Sequence, residues 1–101
     1  MHNSFIYHIT TQAEWQSALQ DGWYAAASLP IEGFIHCATL QQVPGVLQRY
    51  FAGKTDLVQL TIDVQLLVHP LQYELAPSVN DHFPHIYGPI NTNAVTSAVA
   101  L

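Results

Sequence analysis

At 101 residues, half of them hydrophobic, the chain has the length for one domain with a real core, read here as residues 1–101. Two cations, Arg49 and Lys54, stand against seven acidic residues, and the formal net charge is −5. That balance excludes the clustered positive surface that DNA, long RNA or an anionic membrane requires. The single cysteine, Cys37, excludes an intramolecular disulfide.

Phe5 to Thr10 reads as a first strand, β-branched and aromatic, with His8 at its centre. Thr11 and Glu14 have capping-box spacing and open a helix whose apolar stripe is Ala13, Trp15, Ala18 and Leu19. Asp21-Gly22 stops it. Trp23 to Pro30 reads as a connector, with Pro30 disfavouring helix in the residue before it. Gly33 to Cys37 reads as a second strand, carrying His36. Thr39, with Gln42 at the box position, caps a second helix whose face is Val43, Val46, Leu47, Tyr50 and Phe51. Pro44 falls in its first turn, where proline is tolerated, and Gly53 is the expected C-cap.

Asp56 to Asp63 alternates apolar Val58, Leu60 and Ile62 with Gln59, Thr61 and Asp63, so a strand with one apolar face is expected. Leu71 to Leu75 reads as a further strand, Ala76 to Asp81 as a polar turn, and His82 to Gly88 as an extended aromatic segment broken at Pro89. Ala94 to Leu101 leans to strand. Strands outnumber helices, which predicts a small α+β domain with mixed, mostly antiparallel sheets and two main helices. No apolar run reaches the ~18 residues of a transmembrane helix. The start, Met1 to Phe5, has no charged or long apolar leader region, so a cytoplasmic location is expected.

The chemistry concentrates in the histidines. An imidazole in the middle of an apolar strand costs desolvation unless it is hydrogen-bonded or faces a cleft. His8 and His36 both occupy such positions, which predicts one shared pocket. His8 shares a face with Ile6 and Thr10, and His36 with Phe34. The plain alternative for each is a core histidine bonded to a backbone carbonyl. Cys37 faces away from His36, so the two make no nucleophile–base pair and Cys37 packs as a small apolar side chain. His82-Phe83-Pro84-His85-Ile86-Tyr87 has the composition of a pocket wall, offering His85 and Tyr87 to a ligand. Pro84 keeps His82 and His85 off a helix, so no metal site is read. Arg49 has two readings: a stem lying over apolar surface, or a fork for phosphate. The glycines are scattered and form no phosphate loop. Glu32, Asp63 and Glu74 are single acids without paired-carboxylate spacing; Asp63 is expected to cap a turn and Glu32 to face solvent.

The chain resembles, nearly end to end, the family catalogued as domain of unknown function 952. The matching residues include Ile6-Tyr7-His8-Ile9-Thr10, Glu32-Gly33-Phe34-Ile35-His36-Cys37, Arg49-Tyr50-Phe51 and Phe83-Pro84-His85-Ile86-Tyr87-Gly88-Pro89. In motif order it is more distantly similar to RNA 2′-phosphotransferases of the ADP-ribosyltransferase-like superfamily. The motifs in question are Tyr7-His8-Ile9-Thr10, Ile35-His36-Cys37-Ala38, Arg49 and the Leu57–Asp63 strand. That resemblance implies an ADP-ribosyltransferase-like fold, NAD as cofactor, and transferase chemistry at the nicotinamide–ribose bond. It makes His8, His36 and Arg49 the catalytic candidates, and Tyr7, Thr10, His85 and Tyr87 the ligand-binding ones. Ile9 stands where that superfamily has glycine, and Ala38 where it has serine. A non-catalytic small-ligand module and a structural or interaction protein are the rival readings. So few charges also leave self-association open.

Overall fold

The computed structural model describes residues 5–101, so the reading of the leader at Met1 to Ser4 lies outside the described residues. Strand β1 (Phe5–Thr11) runs into helix α1 (Gln12–Asp21), followed by β2 (Trp23–Tyr24), the short helix α2 (Ser28–Glu32) and β3 (Ile35–His36). A 3-10 turn over Leu40–Gln42 leads into α3 (Val43–Tyr50). Then come β4 (Leu57–Asp63), β5 (Leu71–Ala76), β6 (Asp81–Ile86), β7 (Ile90–Asn91) and β8 (Val95–Ala100).

All pairings are antiparallel. One sheet has the order β1-β4-β8, a second β3-β6-β5, and a short ladder pairs β2 with β7. The α+β expectation therefore holds. The two larger sheets meet where Tyr7 and Ala38 exchange backbone hydrogen bonds of 2.8 Å each way. This bridge sets β1 beside the end of β3 and so brings the two mid-strand histidines to one place.

The alternation read in β4 sets the core. Val58, Leu60 and Ile62 are buried in the larger apolar cluster with Ile6, Trp15, Ile35, Ile86 and Ile90. A smaller cluster of Ile9, Ala38, Val43 and Leu57, edged by Tyr7, Val46, Phe51 and Phe83, lies separate from it. Sequence alternation along β1 explains the division, since Ile6 and Ile9 fall on opposite faces.

Helix ends follow the sequence with three departures. Thr11 Oγ1 accepts from Glu14 N at 3.1 Å, and Gly22, in left-handed conformation (φ 83°), closes α1 by donating to Ala18 O. The other half of the expected box is absent, because the Glu14 carboxylate turns to Thr10 instead. The expected connector contains β2 and opens α2. Pro30 is the third residue of that helix, where its missing N–H has no intrahelical partner to lose. Helix α3 ends at Tyr50 with Phe51 as its C-cap, and Gly53 (φ 77°) falls in the turn beyond. Asp63 caps the next 3-10 turn as expected, accepting from Gln65 N at 3.0 Å.

Candidate functional site

His8 and His36 line the same concavity, as their strand positions predict. It has two lobes that share His8, Ile9, His36 and Phe51 as their common wall. One lobe, about 490 Å³, is apolar, with Tyr7, Val46, Leu75, Val79 and Phe83 in its lining and His85 at its side. The other, about 380 Å³, carries more polar groups: Thr10, Thr11, Glu14, Tyr24, Ser28 and Lys54 line it beside the apolar Ala26, Ala27 and Leu57.

His8 is buried and both its ring nitrogens are engaged. Nδ1 lies 2.6 Å from the His36 carbonyl oxygen and Nε2 2.8 Å from the Tyr24 hydroxyl. Burial pushes its pKa down from 6.5 to about 4, against the opposing pull of the His36 carbonyl and the Glu14 charge, so the ring is neutral near pH 7. A carbonyl only accepts, which fixes the proton on Nδ1 and makes Nε2 an acceptor. The plain reading of a core histidine bonded to backbone therefore holds alongside the pocket reading.

A chain of hydrogen bonds continues outward. The Tyr24 hydroxyl sits 3.0 Å from Thr10 Oγ1, which donates to Glu14 Oε1 at 2.6 Å. Burial raises the Tyr24 phenol to about 12, keeping it protonated. Three protons, one each on neutral His8, Tyr24 and Thr10, serve four contacts between the His36 carbonyl and Glu14 Oε1, which accepts from Thr10. The chain is one donor short.

Around the apolar lobe a second polar group forms from other strands. His36 and His85 are cross-strand partners in β3 and β6, with ring centroids 5.0 Å apart. His36 Nε2 is 2.7 Å from Glu32 Oε1, so Glu32, though exposed to solvent, also orients that ring. His85 Nδ1 is 2.6 Å from Glu74 Oε1, and the Tyr87 hydroxyl donates to the same oxygen at 2.5 Å. Those two hydrogen bonds hold the Glu74 carboxyl below its usual range, the Tyr87 bond having the larger effect. Phe34 stacks on His85 with centroids 4.0 Å apart.

Of the residues named from sequence, Tyr7, His8, Thr10, His36 and His85 come together in the cleft. Tyr87 acts one step behind it, on Glu74. Arg49 lies outside the lining of either lobe. Its guanidinium folds back over Gly45, where a Cβ would come within 2.8 Å of Nη1, and lies 5.6 Å from the centre of the Tyr50 ring. The cation in the lining of the cleft is Lys54. Cys37 is buried in the larger cluster, and burial pushes its thiol up, as expected of a packing residue. His82 and His85 point to opposite faces of β6, one exposed and one buried. Among the described residues no group of three or more His, Cys, Asp or Glu is placed to hold a metal.

Sequence reasoning missed Tyr24 and Glu14 as site residues, and it set the acid–base candidate Glu74 aside as a single acid. Glu14 carried a signal, its capping spacing, but only the fold redirects it to Thr10.

A family model described as "Protein of unknown function (DUF952)" matches residues 9–98. The crystal structure of protein CC0527 from Caulobacter crescentus is similar, with a TM-score of 0.86 and 30% identity over 95% of this chain and 84% of that one. The solution NMR structure of CC0527 gives a TM-score of 0.81 at 31% identity, over 96% of this chain and 84% of that one. No curated protein matches the chain.

Proposed function

We propose that this chain, which belongs to the DUF952 family of proteins of unknown function, binds a nicotinamide-type nucleotide such as NAD in its cleft and cleaves the nicotinamide–ribose bond. The observation that carries this reading is that an apolar lobe and one with more polar side chains adjoin at His8 and His36. A flat aromatic ring suits the first, and a hydroxylated, phosphorylated arm the second. The donor-deficient chain through Tyr24 and Thr10 favours an arm bearing hydroxyls, since a ribose hydroxyl supplies the missing proton. The resemblance to ADP-ribosyltransferase-like proteins in motif order points the same way.

The roles differ from those the resemblance implies. With both nitrogens engaged, His8 acts as a fixed wall, and His36, more than half exposed at its side chain, presents its ring to a ligand while Glu32 holds its Nε2. Lys54 replaces Arg49 as the partner of a pyrophosphate. A second reading, a binding module without turnover, is favoured by Ile9. Its side chain stands where the superfamily has glycine and lines both lobes.

Isothermal calorimetry with NAD and with nicotinamide riboside tests the reading. Both are expected to bind, and Lys54→Ala is expected to weaken NAD about ten-fold while sparing the riboside, because hydrogen bonds to charged groups are worth ~1.5–3 kcal/mol. Chromatographic detection of released nicotinamide separates the enzyme from the binding module. Absence of binding at millimolar concentration of either ligand removes the reading.

A further inference from the structure

His85 is the imidazole of the cleft built for proton transfer. Its Nδ1 is held by Glu74 Oε1, and the Tyr87 hydroxyl donates to that same oxygen. The ring is clamped in plane by Phe34. Nε2 has no hydrogen-bond partner among the described residues, and no buried side-chain nitrogen or oxygen among them lacks one. Nε2 is therefore the open atom, on a side chain otherwise 10% exposed that borders the apolar lobe. An acceptor carboxylate on Nδ1 leaves a lone pair on Nε2 and offsets the positive charge that forms when Nε2 takes a proton. His36, T-shaped against the same ring, is tied to a carboxylate through Nε2 and sits far more in solvent.

We propose that His85 is the general base of this cleft and Glu74 its positioning residue, acting on a water or acceptor hydroxyl that attacks the ribosyl carbon of a bound nicotinamide nucleotide. For its substrate the assignment rests on the function proposed above. The step balances without a further reactant. The carbon–nitrogen bond breaks with its electron pair going to the pyridinium nitrogen, and neutral nicotinamide leaves. The water oxygen forms the new bond to carbon, its proton passes to Nε2, and that proton then goes to solvent. Nδ1–H stays on the Glu74 carboxylate throughout, so Glu74 orients the ring and pairs its transient charge without itself changing state.

Nicotinamide release is measured over a range of NAD concentrations up to saturation for the full chain, for His85→Ala and Glu74→Gln, and for His82→Ala as an exposed control. NAD binding is followed in parallel by calorimetry, and the His85 tautomer by long-range nitrogen–proton NMR. His85→Ala is expected to lower kcat about 100-fold or more at little change in KM, the usual range for a general base. Free imidazole restores part of that rate by entering the vacated space. Glu74→Gln lowers kcat less and loses the fixed Nδ1–H tautomer, and His82→Ala matches the parent chain. If His85→Ala binds and cleaves NAD at the parent rate, or imidazole gives no rescue, the base assignment falls and the nucleotide reading stands. If the parent chain binds NAD without releasing nicotinamide, the base assignment falls and the binding module takes its place. If NAD does not bind, both fall.

Discussion

His8 resists protonation because its charge would be buried. Its pKa is 6.5 when the chain is unfolded and about 4 in the fold, with Glu14 and His36 as the neighbouring titratable groups. Between those values the unfolded chain binds the extra proton and the fold does not. The stabilisation is therefore complete above pH 6.5 and is lost as pH falls toward 4, about 3 kcal/mol across the window. Glu74 and Asp81, both held low by hydrogen bonds, lose their contributions only at more acidic pH, as they protonate. Urea unfolding at pH 7 and pH 4.5 is expected to show a much smaller loss for His8→Gln than for the parent chain. Equal losses would sink the assignment. His8 and His36 were legible in the sequence because an imidazole in an apolar strand is costly enough to need a reason. The roles of Tyr24, Glu14 and Glu74 were not, since each is an ordinary residue of its own segment and gains its role from a partner 14, 4 or 11 positions away.

Elements were legible where a period had room to repeat. The seven residues of β4 alternate, and α3 repeats its apolar face, and both appear where the pattern puts them. The two-residue strands β2 and β7 are too short to hold a period, and they exist because their neighbours leave backbone groups to pair, whereas β3 is the paired part of the strand read over Gly33 to Cys37. The turn before α3 shows local and distant interactions sharing one side chain. Gln42 Oε1 accepts from Thr39 N at 2.9 Å, while its Nε2 donates to Asp81 Oδ2 at 3.0 Å and to the His82 carbonyl at 2.8 Å. The sequence spacing identified the cap and not the link to β6. Gln42→Ala removes both, so a loss of about 1–2 kcal/mol is expected in chemical denaturation, a cap alone being worth ~1 kcal/mol. Hydrogen exchange should quicken at Thr39 and at the start of β6 together. Quickening at Thr39 alone would show that the link across to Asp81 contributes nothing.

At the scale of the molecule, the cleft lies on the side of the smaller apolar cluster, and this separates stability from binding. Leu60 is fully enclosed in the larger cluster, so Leu60→Ala leaves a cavity and is expected to cost ~2–5 kcal/mol. Val46 is only partly buried, packs against the smaller cluster and faces the apolar lobe. A phenylalanine there has about 490 Å³ of open space to enter, so it avoids the overpacking that a closed core imposes, usually ~1–3 kcal/mol. Val46→Phe is therefore expected to unfold within about 1 kcal/mol of the parent chain while blocking a flat ring from the lobe. Urea unfolding and calorimetric titration with NAD read the two effects separately. A Val46→Phe chain as unstable as Leu60→Ala would show that the lobe closes as packed interior in solution. A stable chain that still binds NAD at parent affinity would move the ligand out of the apolar lobe, and His85 would lose its substrate with it.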